Sequence, residues 1–276
     1  MAPPPVTVIE PPRGWAKLGL SEVWKHRELL LFFVWRDIKV RYKQTLVGSG
    51  WALLQPLLTM VIFTIFFGRL AKVPSDGVPY PLFALCGLLP WQLFAFAITE
   101  GGNSLVSQQQ LIKKVYFPRL IVPLASVLAG LVDFCIAFLL LVAAMLYYGV
   151  ALRPTILLLP VFVLFVLATA LAISFWLSAL NVEYRDVRYT IPFLTQLWMF
   201  ATPVAYPASL VPQKWRALYG LNPMAGVVEG FRWALLGSSP PEIGPMVGVS
   251  VLVVLFGLAG GLVYFRRMET TFADVV

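Results

Sequence analysis

The amino-acid sequence predicts an all-α integral membrane protein with six transmembrane helices, and two observations carry that prediction. The chain is 59% hydrophobic and 12% charged, with a mean hydropathy of +0.82. Soluble domains carry about 25% charged residues, and one water-bounded core cannot hide so much apolar surface. The excess must face lipid. The apolar residues are also gathered into runs, and a run of about 20 residues crosses ~30 Å of hydrocarbon. Such runs lie at Gly50–Phe67, Tyr80–Thr99, Leu120–Tyr148, Thr155–Leu180, Thr190–Ala205 and Pro245–Phe265. The fifth is short, whereas the third and fourth are long enough to tilt or protrude.

An even number of crossings puts both termini on one side, and charge chooses the side. With the N-terminus inside, fifteen of the 21 Lys and Arg residues fall in inner segments and six in outer ones. That satisfies the positive-inside rule, so both termini are expected to be cytoplasmic. Residues 1–20 form a Pro-rich stretch lacking the apolar core of a signal peptide, and read as a disordered cytoplasmic tail. Residues 21–267 form a single transmembrane domain, and residues 268–276 a second cytoplasmic tail.

Two segments fail to cross. In Ser21–Gln44 the apolar run Leu29–Trp35 is only seven residues long. Trp24, Leu31, Trp35, Ile38 and Tyr42 follow one helical stripe, while Arg36, Lys39 and Lys43 line another face. An amphipathic helix lying in the cytoplasmic interface fits this pattern, as does a cytoplasmic helix packed on a soluble partner. The segment Tyr206–Glu242, on the outer side between spans five and six, holds five prolines and short apolar helical stretches such as Ala225–Leu236. Short re-entrant or gate helices are expected there, because backbone at membrane depth must be buried in protein or line a cavity. An ordinary outer loop is the alternative.

Chemistry-bearing patterns are sparse. Cys86 and Cys135 lie in apolar runs without metal-ligand spacing and read as buried, inert thiols; His26 is the single histidine. No DxD, no GxSxG and no phosphate-cradling Gly-rich loop is present, so catalysis and nucleotide binding are not expected of this chain. The net charge of +8 follows from the inner loops, and nucleic acid is not an expected partner. Asp133 is the one ionisable residue well inside a long span, with no obvious basic partner; Glu100 and Glu183 sit at the inner ends of two spans. Gly101–Pro118 contains a polar helix candidate, Ser104–Lys113, followed by Val115, Tyr116 and Phe117, which would be exposed for docking. Trp51, Trp91, Tyr147 and Tyr148 suit interfacial belts. Phe63, Phe66, Phe67, Phe193, Trp198 and Phe200 lie deeper, placed either to stack on sugar rings in a channel or to pack.

Four ordered blocks then resemble one family. They are WRDIKVRYKQTLVGSGWALLQPLLTMVIFTIFFGRLAKV (Trp35–Val73), QQLIKKVYFPRLIVPLASV (Gln109–Val127), ALNVEYRDVRYTIPFLTQLWMFATPVAY (Ala179–Tyr206) and LNPMAGVVEGFRWALLG (Leu221–Gly237). The sequence resembles the permease subunits of bacterial polysaccharide ABC exporters for O-antigen, capsule or teichoic acid, over about Ser21 to Arg267. The resemblance implies a multi-pass inner-membrane homodimer bound to two copies of an ABC ATPase, which carry the ATP and Mg, with no cofactor on this chain. It implies ATPase coupling through Arg36, Asp37, Arg41, Tyr42, Gln109, Lys113, Lys114, Tyr116, Phe117 and Pro118. Asn222, Pro223, Glu229 and Arg232 correspond to an outer gate, and the six deep aromatics to a channel lining.

The reading is thus a channel-forming subunit that exports a lipid-linked surface polysaccharide, foremost O-antigen. Arg36, Lys39, Arg41 and Lys43 are placed to attract the lipid diphosphate or simply anionic membrane lipid. An exporter permease for a small hydrophobic compound is the alternative. A membrane glycosyltransferase or acyltransferase fits poorly with one histidine and no acidic motif.

Overall fold

The computed structural model describes residues 20–43, 48–151, 153–184, 186–237, 243–269 and 272. Both expected tails fall almost wholly outside these residues, as do Gln44, Arg185, Pro240, Pro241 and Glu242. Among the described residues there are helices and no strands. The chain is an all-α membrane protein. Among the described residues five helices are long and apolar enough to cross a bilayer: Gly50–Leu70, Tyr80–Ser107, Ile121–Tyr147, Pro154–Glu183 and Met246–Met268.

The N-terminal segment breaks at His26 into α1 (Leu20–Lys25) and α2 (Arg27–Lys43). Helix α3 (Gly48–Phe63) continues into a wide π turn, Thr64–Leu70. Helix α4 (Tyr80–Ser107) starts with Pro81, which needs no helical hydrogen bond there, and runs eight residues past the expected end of its span. A break at Gln108 separates it from α5 (Gln109–Lys114), so the polar helix expected from Ser104 is divided between the two. Helix α6 spans Ile121–Tyr147, and α7 (Leu159–Glu183) follows a 3-10 turn at Pro154–Leu158. Then come α8 (Val187–Ala201), α9 (Gln213–Tyr219), α10 (Pro223–Leu236) and α11 (Ile243–Met268).

Helix α4 is the hub, almost wholly buried and packed on α6, α7 and α10. Its small residues allow close approach, as lipid-embedded helices require. A Cβ on Gly101 would stand 2.5 Å from the Ser174 hydroxyl, and Asn181 of α7 donates to the Gly102 carbonyl at 3.0 Å. Mid-helix Trp91 is buried against Phe94 and is therefore core, not an interfacial belt. Tyr147 and Tyr148 stay exposed at the end of α6, whereas Cys135 is exposed and departs from the buried thiol expected.

The expected fifth span is α8, only 15 residues and about 22 Å long, which falls short of a ~30 Å core. It nonetheless runs antiparallel to α4 along much of its length. Ile191 packs on Gly102, the Trp198 ring meets Phe94 at 5.3 Å, and Val204, just beyond α8, reaches Gly87. Arg266 of α11 pairs with Glu22 of α1 at 3.1 Å, so the first and last described helices meet.

Helix α2 does not lie flat across that end. Phe33 packs edge-on against Phe117, just before α6, and Arg41 and Tyr42 reach Asp133. Asp133 is twelve residues into α6, about 18 Å along its axis, so α2 climbs beside α6. Of the expected stripe, Trp24, Leu31 and Trp35 are exposed and Ile38 and Tyr42 half-buried, with Lys39 over the Trp35 ring at 4.3 Å.

Candidate functional site

The polar groups gather in a cleft of about 640 Å³ between α2, α3, α4 and α6. Asp133 sits in its wall and is not without a partner, contrary to the sequence reading. It accepts hydrogen bonds from the Arg41 guanidinium and the Tyr42 hydroxyl, residues more than ninety positions away. Arg41 also lies over the Phe96 ring at 4.0 Å. Burial first, then the hydrogen bond to Asp133 and its charge, push the Tyr42 phenol up to about 12, so it remains a donor. Gln55, Gln92 and Glu100 line the same cleft. A second, more polar cleft, lined by Arg36, Asp37, Ser104 and Gln108, continues it toward the inner end and shares Arg41 and Glu100.

Of the four basic residues read as attracting a diphosphate, two are already neutralised. Arg36 pairs with Asp37 at 2.8 Å and Arg41 with Asp133, while Lys39 and Lys43 stay exposed. The inner connection divides similarly. Gln109, Lys113, Lys114 and Tyr116 are exposed, Tyr116 by 83%. Phe117 is 6% exposed and Pro118 is buried with it, so the expectation of an exposed Phe117 is corrected. Phe117 belongs to a small apolar core with Phe33, Leu120, Phe175 and Phe265, which ties the connection to α2, α7 and α11.

The four outer residues form a bracket inside the protein. Arg232 is 1% exposed and lies 3.6 Å over the Phe83 ring. It donates to Glu229 at 2.9 Å, to the Val204 carbonyl at 2.7 Å and to the Tyr206 carbonyl at 3.3 Å. Burial draws its pKa down, and the Glu229 charge opposes that. Glu229 in turn accepts from the Ala208 N–H at 3.1 Å. Asn222 caps α10 by accepting from the Met224 N–H, accepts from the Trp198 indole at 2.9 Å, and donates to the Ala201 carbonyl. Tyr80 donates to the Ala205 carbonyl at 2.7 Å. The non-helical turn Thr202–Pro207 and the Ala208 N–H after it thus have backbone groups met by side chains. Glu229, Arg232 and Pro223 have no free surface for a passing substrate.

The deep aromatics also separate. Phe66, Phe193 and Phe200 are exposed, and Phe67 is half-buried. Phe63 is core, and Trp198 is half-buried, with its ring on Phe94 and its indole N–H on Asn222. Gln55, Gln92 and Phe96 of the cleft escaped the sequence reading. The available signal was an amide standing alone in an apolar run.

Membrane-length helices among the described residues, with polar side chains gathered part-way along α6, define the class: a multi-pass membrane protein. The family is equally specific. The ABC-2 type transporter family matches residues 28–236, and the chain belongs to it. The O-antigen export system permease protein RfbA of Myxococcus xanthus is 32% identical over 254 residues, covering 91% of this chain and 96% of that protein. RfbA of Klebsiella pneumoniae is 28% identical, covering 90% and 95%. The polysialic acid transport protein KpsM of Escherichia coli is 22% identical, covering 85% and 91%.

Proposed function

We propose that this chain is the membrane-spanning subunit of a bacterial inner-membrane exporter for a lipid-linked surface polysaccharide of the O-antigen kind. The observation that carries the reading is the near full-length similarity to export permeases of that name. Two copies would form the channel, with exposed faces of the π turn after α3 and of α8 carrying Phe66, Phe193 and Phe200 toward each other. Two ATPase subunits would bind ATP and Mg and dock on the exposed Gln109, Lys113, Lys114 and Tyr116. In this topology α8 with its bracketed turn is the fifth of six crossings, and both termini are cytoplasmic. The meeting of Glu22 with Arg266 supports that even count.

Closure of the ATPase subunits would move the inner connection. Phe117 would carry that motion to Phe33 on α2, and the Arg41–Asp133 pair would carry it to the wall of the cleft. The exposed Lys39 and Lys43 are the side chains left to attract a lipid diphosphate. Deleting this chain should remove the surface glycan while lipid-linked glycan accumulates inside, as read by immunoblot of surface and inner-membrane fractions. A surface glycan that persists at normal level sinks the reading in favour of a different cargo.

A further inference from the structure

The cleft between α3, α4 and α6 carries a chemistry that the exporter reading leaves unused. Its charged lining is one cation, Arg41, and two carboxylates, Asp133 and Glu100. The cation is already paired with Asp133 and covered on one face by Phe96. An incoming diphosphate would therefore meet a wall with one net negative charge, and like charges repel. The uncharged lining is different. Gln55 on α3 and Gln92 on α4 make no side-chain hydrogen bond among the described residues, although both stand within apolar helices. Each amide both donates and accepts, which matches a hydroxyl that does the same. The Trp51 and Phe96 rings stand in the same lining, and aromatic faces pack on the C–H faces of a pyranose. The volume lies in the ~300–1,000 Å³ range of small-ligand sites.

We propose that this cleft is a subsite for one uncharged sugar unit of the exported glycan, held by Gln55, Gln92 and the Trp51 ring, and that it excludes the diphosphate of the lipid carrier. The proposal rests on the exporter reading and assigns its substrate contacts to residues that the resemblance does not name. Asp133, fixed by Arg41 and Tyr42, acts as a positioning residue for the wall.

The test uses the full chain with its ATPase partner in nanodiscs. Calorimetric titration is run with a neutral oligosaccharide released by mild acid from the producing cell's own glycan, and in parallel with farnesyl diphosphate. Loss of two hydrogen-bonding amides in Gln55→Leu/Gln92→Leu should weaken oligosaccharide binding about tenfold. Farnesyl diphosphate binding should be unchanged, as should the thermal midpoint of the complex. Trp51→Phe should retain the oligosaccharide and Trp51→Ala lose it. Equal oligosaccharide affinity in the double variant overturns the subsite, as does farnesyl diphosphate displacing the sugar. Failure of the exporter reading looks different: the deletion strain keeps its surface glycan whatever the titrations give.

Discussion

Arg232 is an almost wholly buried guanidinium, and its neighbourhood explains why it is tolerated at all. A guanidinium taken out of water is costly unless paired and fully hydrogen-bonded. Glu229, two carbonyls and the Phe83 face supply most of that environment, and the buried Nε alone has no partner among the described residues. Arg232→Met leaves Glu229 buried and uncompensated, so it should cost about 3–5 kcal/mol. The thermal midpoint in detergent reads this, and adding Glu229→Gln to Arg232→Met should recover part of the loss. Asp133 makes the opposite point, since its pair with Arg41 is partly open. Arg41→Asp and Asp133→Arg should each lower export, and the two together should restore much of it. Glycan immunoblots of the three strains decide whether the pair or the individual charges matter.

At the scale of elements, the inner connection shows how adjacent residues separate into two roles. Tyr116 stands out from the protein, while Phe117 closes a small core beneath it. Tyr116→Ala should leave the thermal midpoint unchanged and reduce co-purification of the ATPase. Phe117→Ala should destabilise by roughly 3–5 kcal/mol, because it empties a buried aromatic site. Equal effects of both on stability would remove the distinction. Helix α10 gives a related lesson. It is buried on nearly every side, and a Cβ at Gly230 would collide with Phe162, so its sequence is set by packing as much as by any gate. Its C-terminal end turns at Gly237 with φ +67°, the left-handed cap that favours glycine.

Across the whole molecule, parity organises the topology. Five membrane-length helices alone would place the two chain ends on opposite faces, yet Glu22 and Arg266 meet. In the proposed six-span topology the short α8, extended by a bracketed turn, is the crossing that would reconcile the two. Alkaline phosphatase fused after Val276 should therefore be inactive, and fused in the outer loop at Arg153 it should be active. Activity of the C-terminal fusion would make the crossing number odd and overturn the six-span topology.

The sequence by itself determined the membrane class, the places of five long apolar helices and the family, because these depend on local sums. Transfer of each side chain to lipid is nearly additive along a run, and the ordered blocks read directly as a resemblance. The tertiary structure alone decided that Asp133 binds Arg41 and Tyr42, that Phe117 is buried beside an exposed Tyr116, and that Glu229 and Arg232 hold a turn. Those outcomes depend on which helix faces meet across tens of residues of chain. Helical periodicity shows that a face exists, but a partner is settled only when packing brings two faces together. The same holds for the cleft, whose amides stand on two different helices and become one site only in the folded bundle.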